Sequence, residues 1–98
     1  MSKITESARG EACTMRIPGV CNHDRATVVW CHRNGAEFKG IGQKSHDLLG
    51  AYGCSACHDA YDRRVPTSKF VSREMVDFCF DDGHARSLLI LIKKGLVR

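Results

Sequence analysis

Hydrophobic and polar positions along the chain alternate in period several times, and each change marks an element. Thr27-Val28-Val29-Trp30-Cys31 is β-branched and aromatic, which predicts a strand delivering His32 at its end. Residues 33–43 contain Gly35, Gly40 and Gly42 and read as a loop or loose hairpin with a short second strand. Asp47 is placed to cap a short helical turn over Leu48 and Leu49, and Gly53 breaks the chain before Cys54. Residues 55–64 read as a short helix that Pro66 ends. A longer helix starts near Ser68 or Ser72, with Val71, Met75, Phe78, Cys79, Ala85, Leu88, Leu89 and Ile92 at helical spacing. Asp82-Gly83 interrupts it as a kink or as a break into two helices. Lys93, Lys94 and Gly95 suit its end. Residues 88–92 are apolar all round, so this turn is buried on several sides or meets another subunit. The expected fold class is α+β in one domain, 1–98: a flexible lead-in over 1–10, a zinc and ββα-metal core over 11–65 and a helical part over 68–95.

Composition narrows the picture. The 98 residues are 43% hydrophobic and 27% charged, a globular balance. Fifteen Lys and Arg against eleven Asp and Glu leave a formal charge of +4, which suits a nucleic-acid partner and equally an ordinary basic surface. Residues 1–10 are polar with no apolar signal region, and the longest aliphatic run, 88–92, is far too short to span a bilayer. A cytoplasmic location without membrane attachment is therefore expected. There, six cysteines favour metal binding over disulfides.

The chemistry centres on Cys54-Ser55-Ala56-Cys57-His58. That spelling serves half a zinc cage, a redox pair or a c-type haem attachment. Haem attachment needs export, and a redox pair leaves four cysteines unexplained. Cys13 and Cys21 flank a Pro18-Gly19 turn, so two turns together can supply four thiolates to a structural zinc. The alternative for Cys13 and Cys21 is simple burial. His23 is a substitute ligand, and Cys31 and Cys79 sit in apolar stretches and are assigned to packing. His58 then remains for other chemistry. Asp62 lies four residues on, one helical turn away, placed to share a metal or a hydrogen bond with it. Arg63 and Arg64 offer guanidinium forks suited to phosphate.

A histidine ending a strand, a polar loop, and a histidine on a short helix form a ββα-metal layout. Here the chain resembles the HNH endonuclease superfamily, through His32, Asp47 and His58. More closely it is similar to small prophage-encoded nucleases of the YbcO type, relatives of the phage recombination-enhancement (Ref) nuclease that acts with RecA. That likeness rests on Ala8-Arg9-Gly10, Arg16-Ile17-Pro18-Gly19-Val20-Cys21-Asn22, His32, Gly40, Gly42, Lys44, Asp47, Cys54-Ser55-Ala56-Cys57-His58-Asp59 and Asp62-Arg63-Arg64. It spans about residues 8–65, and more weakly 83–86 and Gly95. The general HNH pattern has Asn where Asp47 stands, and often a metal ligand where Cys31 stands.

The resemblance implies a zinc-stapled, treble-clef-like ββα-metal core and a metal-dependent DNA endonuclease, with a recombinase filament as a further partner. It implies His32 as general base, Asp47 as the group that orients it or holds the metal through a water, and His58, completed by Asp62 or His46, on a catalytic ion such as magnesium or manganese. Lys44, Arg63 and Arg64 would contact flanking phosphates. The competing expectation is a catalytically silent zinc module that binds nucleic acid or protein.

Overall fold

The structure is a computed structural model that describes residues 3–33, 48–63 and 71–97. Lys44, His46, Asp47 and Arg64 lie outside the described residues. The elements run α1 (Lys3–Glu6), a 3₁₀ turn (Arg25–Thr27), β1 (Val29–His32), β2 (Gly50–Gly53), α2 (Ser55–Tyr61) and α3 (Arg73–Lys93). This is a small α+β arrangement in which α3 packs along a two-stranded sheet and α2 lies against both strands.

The first strand starts two residues later than its β-branched run. Asp24 caps a 3₁₀ turn by accepting from the Ala26 amide at 3.0 Å, and the Thr27 hydroxyl donates to the Asp24 carbonyl at 2.9 Å. This local pairing competes with the ladder for those residues. The strand does end on His32, as its apolar run predicts.

The partner strand differs from expectation. Residues 34–43, where a short second strand was placed, lie outside the described residues, and β1 pairs antiparallel with Gly50–Gly53 in the register Trp30–Tyr52 and His32–Gly50. A Gly-Ala-Tyr-Gly strand has no β-branched residue to announce it. Its glycines answer a packing need. A Cβ on Gly50 would lie 2.5 Å from Trp30 Nε1, and one on Gly53 would lie 2.8 Å from both Cys31 Sγ and Met15 Sδ. Trp30 meets Tyr52 edge-on, with ring centroids 5.3 Å apart.

The outer edge of β2 is closed by other elements. The Thr14 amide donates to the Tyr52 carbonyl at 2.8 Å, and the Tyr52 amide donates to Ser87 Oγ at 3.0 Å. His84 Nδ1 lies 2.7 Å from the Gly50 carbonyl. Two buried hydroxyls, Thr14 and Ser87, are thereby paired, as burial requires.

The third helix is continuous. Ser72 caps it by accepting from the Met75 amide at 3.1 Å. Gly95, at φ 76°, ends it with the paired bonds Gly95 to Ile92 and Leu96 to Leu91. Asp82-Gly83 is not a break, since the helix runs through it from Arg73 to Lys93. Gly83 is the point of closest approach, where a Cβ would stand 3.1 Å from the Met15 backbone. Residues 3–10, read as a lead-in, are docked: Ala8 is buried, Ser7 Oγ bonds Tyr52 Oη at 2.7 Å, and Lys94 Nζ reaches the Ser7 carbonyl at 3.1 Å.

Candidate metal centre

Four cysteine sulfurs, from Cys13, Cys21, Cys54 and Cys57, lie within 4.8 Å of one another. Cys13 and Cys57 are 3.7 Å apart, and Cys21 and Cys54 are 3.8 Å apart. A tetrahedron of sulfurs around an ion with 2.3 Å bonds has edges of about 3.8 Å, so the donor set fits such an ion.

Local sequence explains how the sulfurs arrive. Cys54 is the N-cap of α2, and its Sγ accepts from the Cys57 amide at 3.4 Å and from the Asn22 amide at 3.5 Å. Asn22 also donates through Nδ2 to Ser55 Oγ at 3.1 Å, tying the two cysteine turns together. Arg16 and His23 adopt left-handed backbone at φ 51° and 56°, which non-glycine residues enter only when the surroundings demand it. Each follows a cysteine by two or three residues and turns its amide toward that sulfur. These two residues carry no sequence signal for the role, since neither is the Gly or Asn that such a turn normally selects.

The cluster's ionisation reflects its crowding. A hydrogen bond from Cys57, opposed by burial, holds the Cys13 thiol down to about 4. The same bond, with burial, pushes Cys57 far above the usual thiol range. Burial first, then the neighbouring cysteine sulfurs, pushes Cys21 up to about 11. One thiolate is stabilised by its neighbours' S–H groups and further ones are resisted. A bound cation is what would let all four ionise.

His58 follows cluster residue Cys57 directly, and its amide donates to the Cys54 carbonyl at 2.9 Å. Its Nε2 lies 2.9 Å from Asp62 Oδ2, both side chains about three-quarters buried. Two neighbouring ligands about 2.1 Å from one octahedral ion stand about 3.0 Å apart, so this separation fits a hydrogen bond and a shared divalent ion alike. Arg63 follows on the exposed end of α2, at φ 62°.

His32 ends β1, half-buried, opposite Gly50. Cys31 beside it is fully buried. Burial raises its thiol well above the usual range, and the nearby charges of Asp62, Cys13 and Cys54 raise it further. Strand alternation therefore puts Cys31 toward the cysteine cluster and His32 on the face of Trp30. Cys79 is buried on α3, away from the cluster, and its thiol is raised chiefly by burial.

A stack of side chains braces this region. Tyr61 of α2 and Phe80 of α3 are parallel at 4.2 Å. Arg33 lies over Phe80 at 5.8 Å, and Arg73 over Tyr61 at 5.5 Å. Arg33 also pairs with Asp81 at 2.6 Å. Arg73 donates to the Ala60 and Tyr61 carbonyls at 2.8 and 2.5 Å, closing the C-terminus of α2. Arg33, Arg73 and Asp81 are not among the residues that the sequence singles out, and partly exposed charged side chains give no signal for such bracing.

The family model described as "Putative nuclease YbcO" matches residues 2–96. The chain belongs to the YbcO family. A relative named "Putative nuclease YbcO", from Escherichia coli K12, is 39% identical over 98 residues, covering 100% of this chain and 99% of the relative. A "Putative nuclease ybcO" of Enterobacteria phage 82 matches to the same extent. Among solved structures, a "putative bacteriophage protein" from E. coli K-12 MG1655 superposes with a TM-score of 0.75 at 37% identity, covering 93% of this chain and 98% of that one. Membership of the YbcO family thus extends over nearly the whole chain, α3 included, beyond the residues 8–65 that carry the plainest motifs. No helix among the described residues is long and apolar enough to cross a membrane.

Proposed function

We propose that this YbcO-family chain is a metal-dependent DNA endonuclease of HNH type, with a structural zinc held by Cys13, Cys21, Cys54 and Cys57. The observation that carries the reading is the match over residues 2–96 to a family whose members are named as nucleases. The phage and bacterial sources of the relatives are in keeping with a prophage protein active in recombination or repair, working beside a recombinase filament.

Phosphodiester hydrolysis needs an activated water, a neutralised phosphate and a stabilised leaving oxygen. His32 is the general base, its neutral imidazole accepting the proton of the attacking water. His58 and Asp62 would hold a divalent ion such as magnesium or manganese, which would polarise the phosphoryl oxygen and stabilise the departing 3′ oxygen. Asp47 orients His32. Attacking and leaving oxygens stand roughly in line on opposite sides of phosphorus. Lys44, Arg63 and Arg64 contact flanking phosphates, a sequence-independent attraction that weakens with salt.

The test is plasmid nicking by the purified protein with magnesium or manganese. His32→Ala and His58→Ala should each lower nicking by about 100-fold or more, with the fold and bound zinc unchanged. Wild-type protein that binds DNA yet never cuts it, whichever divalent metal is supplied, would instead make this a non-catalytic binding module. Cutting only alongside a recombinase filament would assign it the Ref-like role.

A further inference from the structure

The third helix buries one face and leaves an apolar seam on the other. Phe78 is 60% exposed, Leu89 62%, Ile92 52% and Met75 42%. Positions 75, 78, 82, 85, 89 and 92 follow the 3–4 spacing of a coiled-coil seam. The helix is 21 residues long, about 31 Å at 1.5 Å per residue. The seam runs its whole length, whereas scattered exposed apolar residues would need no explanation. The sequence pattern also separates charge along it. Residues 73–82 carry four carboxylates (Glu74, Asp77, Asp81 and Asp82) against Arg73 and the Arg33 that pairs with Asp81, a net acidic end. Residues 83–94 carry Arg86, Lys93 and Lys94 and no carboxylate.

We infer that this face pairs with a second copy of the chain, the two α3 helices antiparallel about a two-fold axis near residues 82–85. A seam that is acidic at one end and basic at the other repels itself in parallel and attracts itself when reversed. The antiparallel register sets Phe78 against the partner's Leu89 and Met75 against the partner's Ile92. The polar break in the seam, Asp82, falls beside the partner's Arg86. Within one chain Asp82 and Arg86 already approach to 3.7 Å, each side chain nearly half exposed. The two-fold brings two such pairs together, so each carboxylate faces two guanidinium groups. A buried polar position of this kind sets register and orientation. The pairing stands apart from the nuclease reading, because α3's outer face contains none of the proposed site residues.

Sedimentation velocity on the zinc-loaded protein, from about 1 to 300 µM, tests this over the range where small interfaces associate. The mass should rise with concentration from the 10.9 kDa monomer toward twice that value. Phe78→Glu with Leu89→Glu should leave a monomer throughout, with unchanged circular dichroism and zinc content. Asp82→Arg should raise the dissociation constant at least tenfold, because it sets like charges against Arg86 across the two-fold. A parallel pair would only exchange one like-charge contact for another and would not respond. Wild-type protein that stays monomeric, or a dimer that survives the double Glu substitution, would overturn the inference. A dimer indifferent to Asp82→Arg would overturn the antiparallel register.

Discussion

At the scale of single residues, the chain's chemistry is a matter of which cysteines meet. Cys13, Cys21, Cys54 and Cys57 form one cluster, while Cys31 and Cys79 are buried elsewhere. Cys57→Ser should cost folding as well as metal, because binding energy at such a site is folding energy. A metal assay and a thermal melt on the same sample would check this. The pKa shifts also give the metal-free protein a pH dependence. Cys21, at about 11, and Cys31 have folded pKa values above the ordinary thiol value of 9.0. Their contribution to stability is complete below that ordinary value and is lost as pH rises through the folded values. Chelator-treated protein should therefore lose stability between about pH 9 and pH 11, read by urea denaturation at each pH. Cys13 runs the other way. Its depressed value adds stability that is present above pH 9 and lost as pH falls toward 4.

At the scale of elements, the sequence was readable wherever local chemistry was strong. Trp30 and the β-branched run before it announced β1. Of the two expected starts, Ser68 and Ser72, α3 uses Ser72, and Gly95 ends it; α2 begins at Ser55, as the break at Gly53 implies. The second strand was not readable, because its glycines are selected by what presses on them and not by strand propensity. Gly50→Ala should cost about 1–3 kcal/mol, the usual range for overpacking. The added methyl would meet Trp30 Nε1 at 2.5 Å and the Cys31 carbonyl at 2.7 Å, and a backbone carbonyl cannot swing aside. Arg73 offers a second test. Its guanidinium satisfies two terminal carbonyls of α2 and covers Tyr61. Arg73→Ala should cost about 1.5–3 kcal/mol, the range for hydrogen bonds to a charged group. Both values come from chemical denaturation of the metal-loaded protein.

At the scale of the whole molecule, the described core is thin. Two four-residue strands and a seven-residue helix cannot bury much surface unaided, and a chain of this size commonly needs a staple. The cysteine cluster joins residues 13–21 to the start of α2, and α3 closes the open edge of the sheet. Removal of the ion by a chelator should therefore let α2 and the 13–24 segment open locally more readily than α3, within a protein that stays folded. Hydrogen exchange resolved along the chain would show protection lost first at residues 54–61.

The balance between sequence and tertiary structure follows from the range over which each signal acts. Spacing of cysteines around turns, capping residues and apolar period are local quantities. They suffice to specify the four clustered cysteines, the strand that ends on His32 and the helical C-terminal part. The facts that remained needed contacts between distant segments. Gly83 looked like a helix breaker until the Met15 backbone was found against it. Residues 3–10 looked like a lead-in until Ser7 was found on Tyr52 and Lys94. His84 and Ser87 looked like ordinary helix residues until the β2 edge gave them partners. A glycine, a short polar segment or a serine has no period and little propensity. Its role is set by the neighbour that folding brings to it, and that neighbour can be seventy residues away.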